Sequence, residues 1–307
     1  MTPALWWIVG LYVAVGAVVL GVGALPRFRN RETQRLARSL GIPLGAELEP
    51  LVRRRVAARR RGAVVGALLG LAASTAMLAS ETTPSAGSLA PLVLVGGVFG
   101  GLAVGVAVVA ALHSIRINDD RPRIARAEAV TVNDYVAWIE RWAARLPVAL
   151  AVTFLAFSLI LATFDVTAFP RSPLLLLGGL VTLAAIAALA FFELGGRRLV
   201  RRAQPSESAA ELAWDDALRS VTIRDMVGAP LILGVYGAML VITELSMALA
   251  AANPGEWVRT ASLIAVNVLF NALMYAAVLA ILFIIVSKPQ RHFLRKLWPE
   301  LATGVRP

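Results

Sequence analysis

A single carboxylate inside an apolar stretch is the residue whose type and position best suit chemistry. Glu244 lies within the apolar residues 229–252. If that stretch crosses a bilayer and is centred near Leu240, the carboxylate is about 6 Å from the midplane at ~1.5 Å per residue. A charge at that depth is costly, so we expect the carboxyl group to be protonated or paired. The sequence therefore predicts an intramembrane polar site at Glu244.

Candidate partners for Glu244 lie in the next apolar stretch. Asn267, Asn271 and Tyr275 follow one another at intervals of four residues, so they share one face of a helix. Counting inward from the short loop between the two stretches puts Asn271 near the depth of Glu244, which makes a hydrogen bond between them feasible. Such a site either clamps two helices or carries a proton or cation, and both interpretations stay open.

Acidic residues in the polar segments indicate a third kind of chemistry. Asn133, Asp134 and Glu140 resemble the aspartate-rich element of membrane prenyltransferases, although Ala137 stands where that element carries an aspartate. Magnesium diphosphate chemistry needs clustered carboxylates that face one cavity. Caps and solvated helix faces explain these residues more simply, and the same holds for the other nearby aspartates, Asp119, Asp120, Asp215, Asp216 and Asp225.

Several other chemistries lack the residues they need. Cysteine is absent, which excludes disulfides, thiolate metal sites and cysteine nucleophiles. His113 and His292 are too few and too far apart for a histidine metal centre. We find no phosphate-binding glycine loop and no serine nucleophile elbow. We therefore expect no catalytic residues, no metal and no cofactor, and lean against an enzyme.

Seven apolar stretches must position the polar residues. The chain is 58% hydrophobic and only 16% charged, against roughly 25% charged in a soluble domain. Each stretch is close to the ~20 residues that a helix needs to cross hydrocarbon. The sequence predicts one all-α transmembrane domain over residues 1–307, a polytopic bundle of seven helices with spans near 4–25, 62–80, 89–112, 146–164, 173–194, 229–252 and 261–287.

Basic residues orient this bundle. All of the 30 lysines and arginines except Arg171 and Arg259 fall in alternate loops and in the carboxyl-terminal tail. Basic loops stay on the cytoplasmic side during insertion, so we expect the amino terminus outside and the carboxyl terminus inside. The same loop pattern divides the chain after the first span into three hairpin units of similar length, 26–112, 113–194 and 195–287.

The basic loops are predicted to form amphipathic helices at the cytoplasmic membrane face. Thr131 with Asp134, and Ser208 with Glu211, have the spacing of helix caps. Aromatic residues follow these caps at helical spacing and predict an interfacial face toward anionic head groups or a partner protein. The net charge of +11 is the default for a basic inner surface, so it does not favour nucleic acid. The residues of this face are Tyr135, Trp138, Trp142 and Trp214.

Small residues mark the expected helix contacts. Gly62, Gly66, Gly70 and Ser74 recur every four residues in the second span, and Gly97, Gly101 and Gly105 do so in the third. This spacing lets two helix backbones approach closely, which drives helix association in lipid. The two spans form one hairpin, so we expect them to pack on each other.

The residue usage and three segments of the chain resemble those of a known group of proteins. Its arginine-for-lysine bias and its segments Arg123–Ala127, Asn133–Val136 and Glu211–Arg219 resemble uncharacterised multispan membrane proteins of high-GC actinobacteria. The resemblance implies a multi-pass protein of a bacterial plasma membrane and brings no catalytic motif.

These observations predict a non-enzymatic accessory or scaffold protein that presents a basic amphipathic face to lipid and a partner protein. The alternative is a small secondary transporter or permease subunit that uses Glu244 with Asn267 and Asn271. A membrane prenyltransferase-like enzyme is the third.

Overall fold

The computed structural model describes six continuous ranges of the chain, 26–80, 86–115, 130–163, 173–202, 208–251 and 291–302. Scattered positions among residues 7–21, at 204 and among residues 255–272 are described as well. All regular secondary structure in this part of the chain is helical. The helices are α1 Pro26–Leu40, α2 Glu49–Ser80, α3 Ala86–Ile115, α4 Val132–Tyr135, α5 Trp138–Thr163, α6 Pro173–Val200, α7 Ala209–Ala251, α8 His292–Leu297 and α9 Pro299–Ala302.

Five of these helices, α2, α3, α5, α6 and α7, are long and apolar enough to cross a membrane by length and composition. They cover the predicted spans 62–80, 89–112 and 173–194, and all but the last residue of 146–164 and 229–252. The predicted first and seventh spans, 4–25 and 261–287, lie largely outside the described residues. The all-helical class is therefore confirmed together with five apolar helices.

The chain divides into two compact units. Unit 1 contains residues 1–137, 194–228 and 290–307, and unit 2 contains residues 138–193 and 229–289. Unit 1 holds the packed pair α2 and α3 with most of the basic residues. Unit 2 holds α5 with the apolar parts of α6 and α7.

Within unit 1, α2 and α3 pack along the predicted glycine seam. A methyl group added at Gly66 would overlap the carbonyl oxygen of Gly101, and one at Gly105 would overlap that of Gly62. Gly70 faces Gly97 in the same way. Only hydrogen at these positions allows such close backbones, and dispersion then replaces the hydrophobic effect that lipid does not supply. The prediction that these two helices pack on each other is confirmed.

Within unit 2, α7 packs against α5 and α6. Val148, Ala185 and Leu233 form one buried cluster, and Ala151, Ala238 and Ile242 form another. Glycines let α7 come close to both neighbours: an added Cβ at Gly234 would lie 2.7 Å from the backbone nitrogen of Val148. Small residues therefore set the packing here too.

The predicted amphipathic helices differ from the observed ones. The arginine-rich segment before Gly62 belongs to α2, and the segment that begins at the Ser208 cap belongs to α7. The 43 residues of α7 are about 64 Å long, roughly twice the ~30 Å hydrocarbon core. Because these segments continue into apolar helices, they are not separate helices that lie flat. A separate polar helix does exist, but it is α1, which we did not predict.

The cap at Thr131 forms as predicted, but its helix is short. The backbone N–H of Thr131 donates to the Asp134 carboxylate at 2.7 Å, and α4 ends at Tyr135. Val136 is extended, and α5 begins at Trp138. The prediction that one helix follows this cap and carries Tyr135, Trp138 and Trp142 is therefore wrong, because the extended backbone at Val136 separates Tyr135 from the two tryptophans.

Candidate functional site: the polar assembly of unit 1

The polar and basic segments of unit 1 pack into one body, which we call the polar assembly. It comprises residues 26–61, 130–137, 194–202, 208–228 and 291–302, with Gln204. These segments are far apart in the chain, so long-range hydrogen bonds must hold them. Those bonds decide which side chains are buried structural groups and which remain available for binding.

A buried carboxylate lies at the centre of the polar assembly. Asp216 has no solvent exposure, and its oxygens accept hydrogen bonds from the Tyr135 hydroxyl at 2.8 Å, the Gln204 amide at 2.7 Å and the Trp298 indole at 2.9 Å. A buried carboxylate is tolerated when donors replace its water. Asp216 lies in α7. Its hydrogen bonds therefore attach three other parts of the chain to α7: helix α4, the segment before α7 and the segment after α8.

Two of the predicted interfacial aromatic residues belong to this interior. Tyr135 and Trp214 are only 1% and 2% exposed. The Trp214 indole donates to the Pro43 carbonyl at 2.8 Å, and the Ser220 hydroxyl donates to the Tyr135 carbonyl at 2.9 Å. Neither ring can contact lipid or a partner from this position. Their assignment to an exposed face is therefore wrong. Instead, they connect α7 to α4 and to the segment that follows α1.

The other two predicted aromatic residues are exposed. Trp138 is 65% and Trp142 is 49% exposed, both in the first turns of α5. They belong to unit 2. The exposed part of the predicted aromatic face therefore consists of these two tryptophans.

The carboxyl end of α1 is closed by a glycine and an arginine. Gly41 has a φ of +77°, a left-handed conformation that ends helices, and its N–H donates to the Ala37 carbonyl at 2.9 Å. The guanidinium of Arg291 donates to the carbonyls of Arg38 at 3.2 Å and Ser39 at 3.3 Å. A cation is favourable there because the last carbonyls of a helix carry partial negative charge. Arg291 thus fixes the carboxyl-terminal segment against α1.

Arginines of α2 bind the neighbouring helices of the polar assembly. Arg59 pairs with Asp225 of α7 at 2.7 Å, and Arg60 pairs with Glu32 of α1. Arg55 donates to the Leu218 carbonyl of α7 at 3.0 Å. Part of the arginine run therefore has a structural role, which its charge alone did not reveal.

Many cations of the polar assembly are exposed, including Arg59 and Arg291, which also hold the partners described above. In its described ranges the exposed acidic side chains are Glu47 and Glu300, so the exposed charge is strongly positive. Such a surface attracts anions over about a Debye length, ~8 Å at physiological salt. The exposed cations are Arg27, Arg31, Arg35, Arg38, Arg54, Arg59, Arg61, Arg197, Arg198, Arg201, Arg291, Arg295 and Lys296.

The acidic residues considered for magnesium chemistry have separate partners. Asp134 caps α4, Asp215 pairs with Arg219 at 3.0 Å, and Asp225 pairs with Arg59. Asp216 holds its three neutral donors. Among the residues that the structure describes, no three acidic or histidine side chains group as metal ligands. These aspartates therefore stabilise the polar assembly, whereas Asp119 and Asp120 lie outside the described residues.

The predicted intramembrane site is described only in part. Glu244 is half-buried in the apolar part of α7, and Asn267 is helical and exposed. Asn271 and Tyr275 lie outside the described residues. The hydrogen bond between Glu244 and Asn271 therefore stays a prediction.

Unit 2 contains an ion pair between α5 and α6 that the sequence did not predict. The Nε of Arg145 donates to the Glu193 carboxylate at 2.9 Å, and a second guanidinium nitrogen contacts the same oxygen. The pair joins the first third of α5 to the last third of α6. No local spacing rule relates these two residues.

Comparison of the chain with protein-family models, with curated proteins and with solved structures gives no match.

Proposed function

We propose that this protein is a non-enzymatic, multi-pass component of a bacterial plasma membrane that acts as an accessory or scaffold protein. Its polar assembly lies on the cytoplasmic side, with the amino terminus outside and the carboxyl terminus inside. The exposed arginines bind anionic head groups and dock a partner protein. The distribution of basic residues along the chain supports this orientation.

The observation that carries the proposal is the fixed form of the polar assembly. Asp216 alone collects three hydrogen bonds from three separate segments, and Trp214 adds a fourth link to Pro43. A surface that is ordered before binding loses less conformational entropy when a partner docks. Exposed cations on such a surface suit recognition of an acidic partner better than cations on unstructured loops.

The proposal is tested by site-specific photocrosslinking in intact cells. A photoreactive amino acid replaces Arg31 or Arg54, which are exposed cations of the polar assembly, or Phe99, which is exposed in the apolar part of α3. We expect a discrete protein adduct at positions 31 and 54 and lipid adducts alone at position 99. Lipid adducts alone at all three positions would contradict the partner-docking role.

The second candidate is a small secondary transporter or permease subunit that uses Glu244. The observation in its favour is an ionisable side chain half-buried in a helix that is apolar enough to cross a membrane. Intramembrane carboxylates of this kind often serve proton or ion pathways. Asn267 and Asn271 would complete this site.

A further inference from the structure

A cavity of about 520 Å³ lies inside unit 1, where the arginine-rich part of α2 meets its apolar part. Helices α1, α2, α3 and α7 all contribute to its wall. Its volume is within the roughly 300–1,000 Å³ range of small-molecule sites. The cavity is therefore large enough for a ligand of moderate size, and its two walls differ in chemistry.

One wall of the cavity is cationic. Arg59 and Arg60 are matched by Asp225 and Glu32. With the two further arginines, Arg35 and Arg55, the wall has four guanidinium groups against two carboxylates. Among the described residues, Arg55 donates to the neutral carbonyl of Leu218. The planar guanidinium group favours oxyanions such as carboxylate and phosphate, which can accept two of its hydrogen bonds. The excess charge selects an anion.

A buried donor in this wall supports the same conclusion. The Nε of Arg60 is buried and has no hydrogen-bond partner among the described residues. Burial of an unpaired N–H costs free energy that a ligand oxygen would recover. Arg35 likewise has no partner in the described part of the chain, and its side chain is exposed. Two donors are thus available for an anion at the cavity.

The second wall is apolar. Leu102, Val106 and Val109 of α3 line it along one helix face, together with Ala63 of α2 and Val221 of α7. The cavity therefore offers cations to one end of a ligand and hydrocarbon to the other. A water-soluble phosphate would leave the apolar wall without a partner.

The level of the cavity along α2 also fits an amphiphile. The run Arg59–Arg61 is followed at once by the apolar residues 62–80. Such a change from arginine to apolar residues marks the boundary between head groups and hydrocarbon. A ligand that spans both walls would have its charged group at the head-group level.

We infer that this cavity binds one anionic glycerophospholipid, with its phosphate at Arg35 and Arg60 and the beginning of an acyl chain on Leu102, Val106 and Val109. This inference rests on the proposed membrane-bound role and specifies one lipid site beneath the general basic surface.

The test is a binding titration of the purified full-length protein in mild detergent, followed by native mass spectrometry. The probes are phosphatidylglycerol, zwitterionic phosphatidylcholine and glycerol 3-phosphate, which lacks acyl chains. We expect one phosphatidylglycerol to bind more tightly than either other probe. Arg35→Gln and Arg60→Gln should each weaken it roughly tenfold, since each removes a charge-assisted hydrogen bond.

Matched variants separate the cavity from the rest of the surface. Arg54→Gln removes the same charge from the exposed basic surface but not from the cavity, so weak binding of lipid to that surface should fall while the affinity of the single tight site stays within about twofold. Val106→Trp fills space at the apolar wall and should weaken lipid binding. Val108 is exposed on the same helix and does not line the cavity, so Val108→Trp should leave lipid binding unchanged. Because Arg60 also pairs with Glu32, the exposed Arg35 provides the variant that does not depend on that pair.

Each contrary result has its own meaning. Equal losses in the Arg54 and Arg35 variants would overturn the cavity site and leave the basic surface proposal intact. Equal affinity for glycerol 3-phosphate and phosphatidylglycerol would identify a soluble phosphate site and overturn the lipid assignment. If the wild-type protein does not bind phosphatidylglycerol more tightly than phosphatidylcholine, both this inference and the proposed binding of anionic lipid are wrong.

Discussion

The indole of Trp298 donates a hydrogen bond to the buried carboxylate of Asp216 at 2.9 Å. The two residues are 82 positions apart, one after α8 and the other in α7. This contact fixes the carboxyl-terminal segment to the polar assembly, together with the Arg291 cap on α1. The segment is thus a structural part of the proposed docking surface.

We predict that Trp298→Phe lowers the free energy of unfolding by about 1–2 kcal/mol, because Asp216 loses the hydrogen bond from the indole N–H while most of the ring volume is kept. Trp138→Phe is the matched control at a largely exposed site, where a change within about 0.5 kcal/mol is expected. Denaturant unfolding in detergent measures both. Equal effects of the two variants would show that the contact adds little.

A glycine-to-alanine substitution should have opposite effects inside and outside the glycine seam between α2 and α3. Gly66→Ala places a methyl group against the carbonyl of Gly101 and should destabilise the protein by roughly 1–3 kcal/mol. Gly228→Ala meets nothing within 4 Å, and should be neutral or gain up to about 1 kcal/mol from helix propensity. Thermal unfolding of both variants checks this order, which a reversed result would refute.

A double-mutant cycle measures the Arg145 and Glu193 pair. Because both side chains are partly exposed, we expect a coupling free energy of about 0.5–1 kcal/mol between Arg145→Gln and Glu193→Gln. Arg198→Gln, an exposed change on the same helix as Glu193, should show no coupling with Arg145→Gln. Coupling indistinguishable from that control would mean that the pair contributes nothing to stability.

Orientation is predicted by the positions of the basic residues. Single cysteines at Ser85, Ser172 and Gly255 should react with an impermeant thiol reagent in intact cells, and a cysteine at Ser208 should not. The cysteine-free chain needs no background substitution. Labelling at position 208 in sealed cells would contradict the proposed topology and would show that this part of the polar assembly lies on the outer side.

Two substitutions at Glu244 separate a helix clamp from a proton site. A clamp predicts that Glu244→Gln keeps stability near that of the wild type, whereas Glu244→Ala loses roughly 1 kcal/mol through an unpaired partner. A proton-coupling role predicts that both variants remain folded and lose proton flux in reconstituted vesicles. Normal flux in the glutamine variant would remove the transporter candidate.

The sequence by itself determined the elements that repeat a local pattern. Apolar runs of sufficient length identified the five described helices that can cross a membrane, since each helix satisfies its own backbone hydrogen bonds in hydrocarbon. The four-residue spacing from Gly62 to Gly70 identified the seam with α3, because residues i and i+4 lie on the same face of a helix. The cap at Thr131 also formed, although α4 ended sooner than predicted.

Only the tertiary structure decided which polar side chains are buried and which remain exposed. Tyr135, Trp138, Trp142 and Trp214 look alike in a helical pattern, yet two of them are interior groups and two are exposed. The partners of Asp216 come from three separate segments, two of them more than 80 residues away, and the walls of the cavity come from four helices. A local period fixes one helix face, whereas such contacts depend on how separate helices pack, which no spacing within one segment specifies.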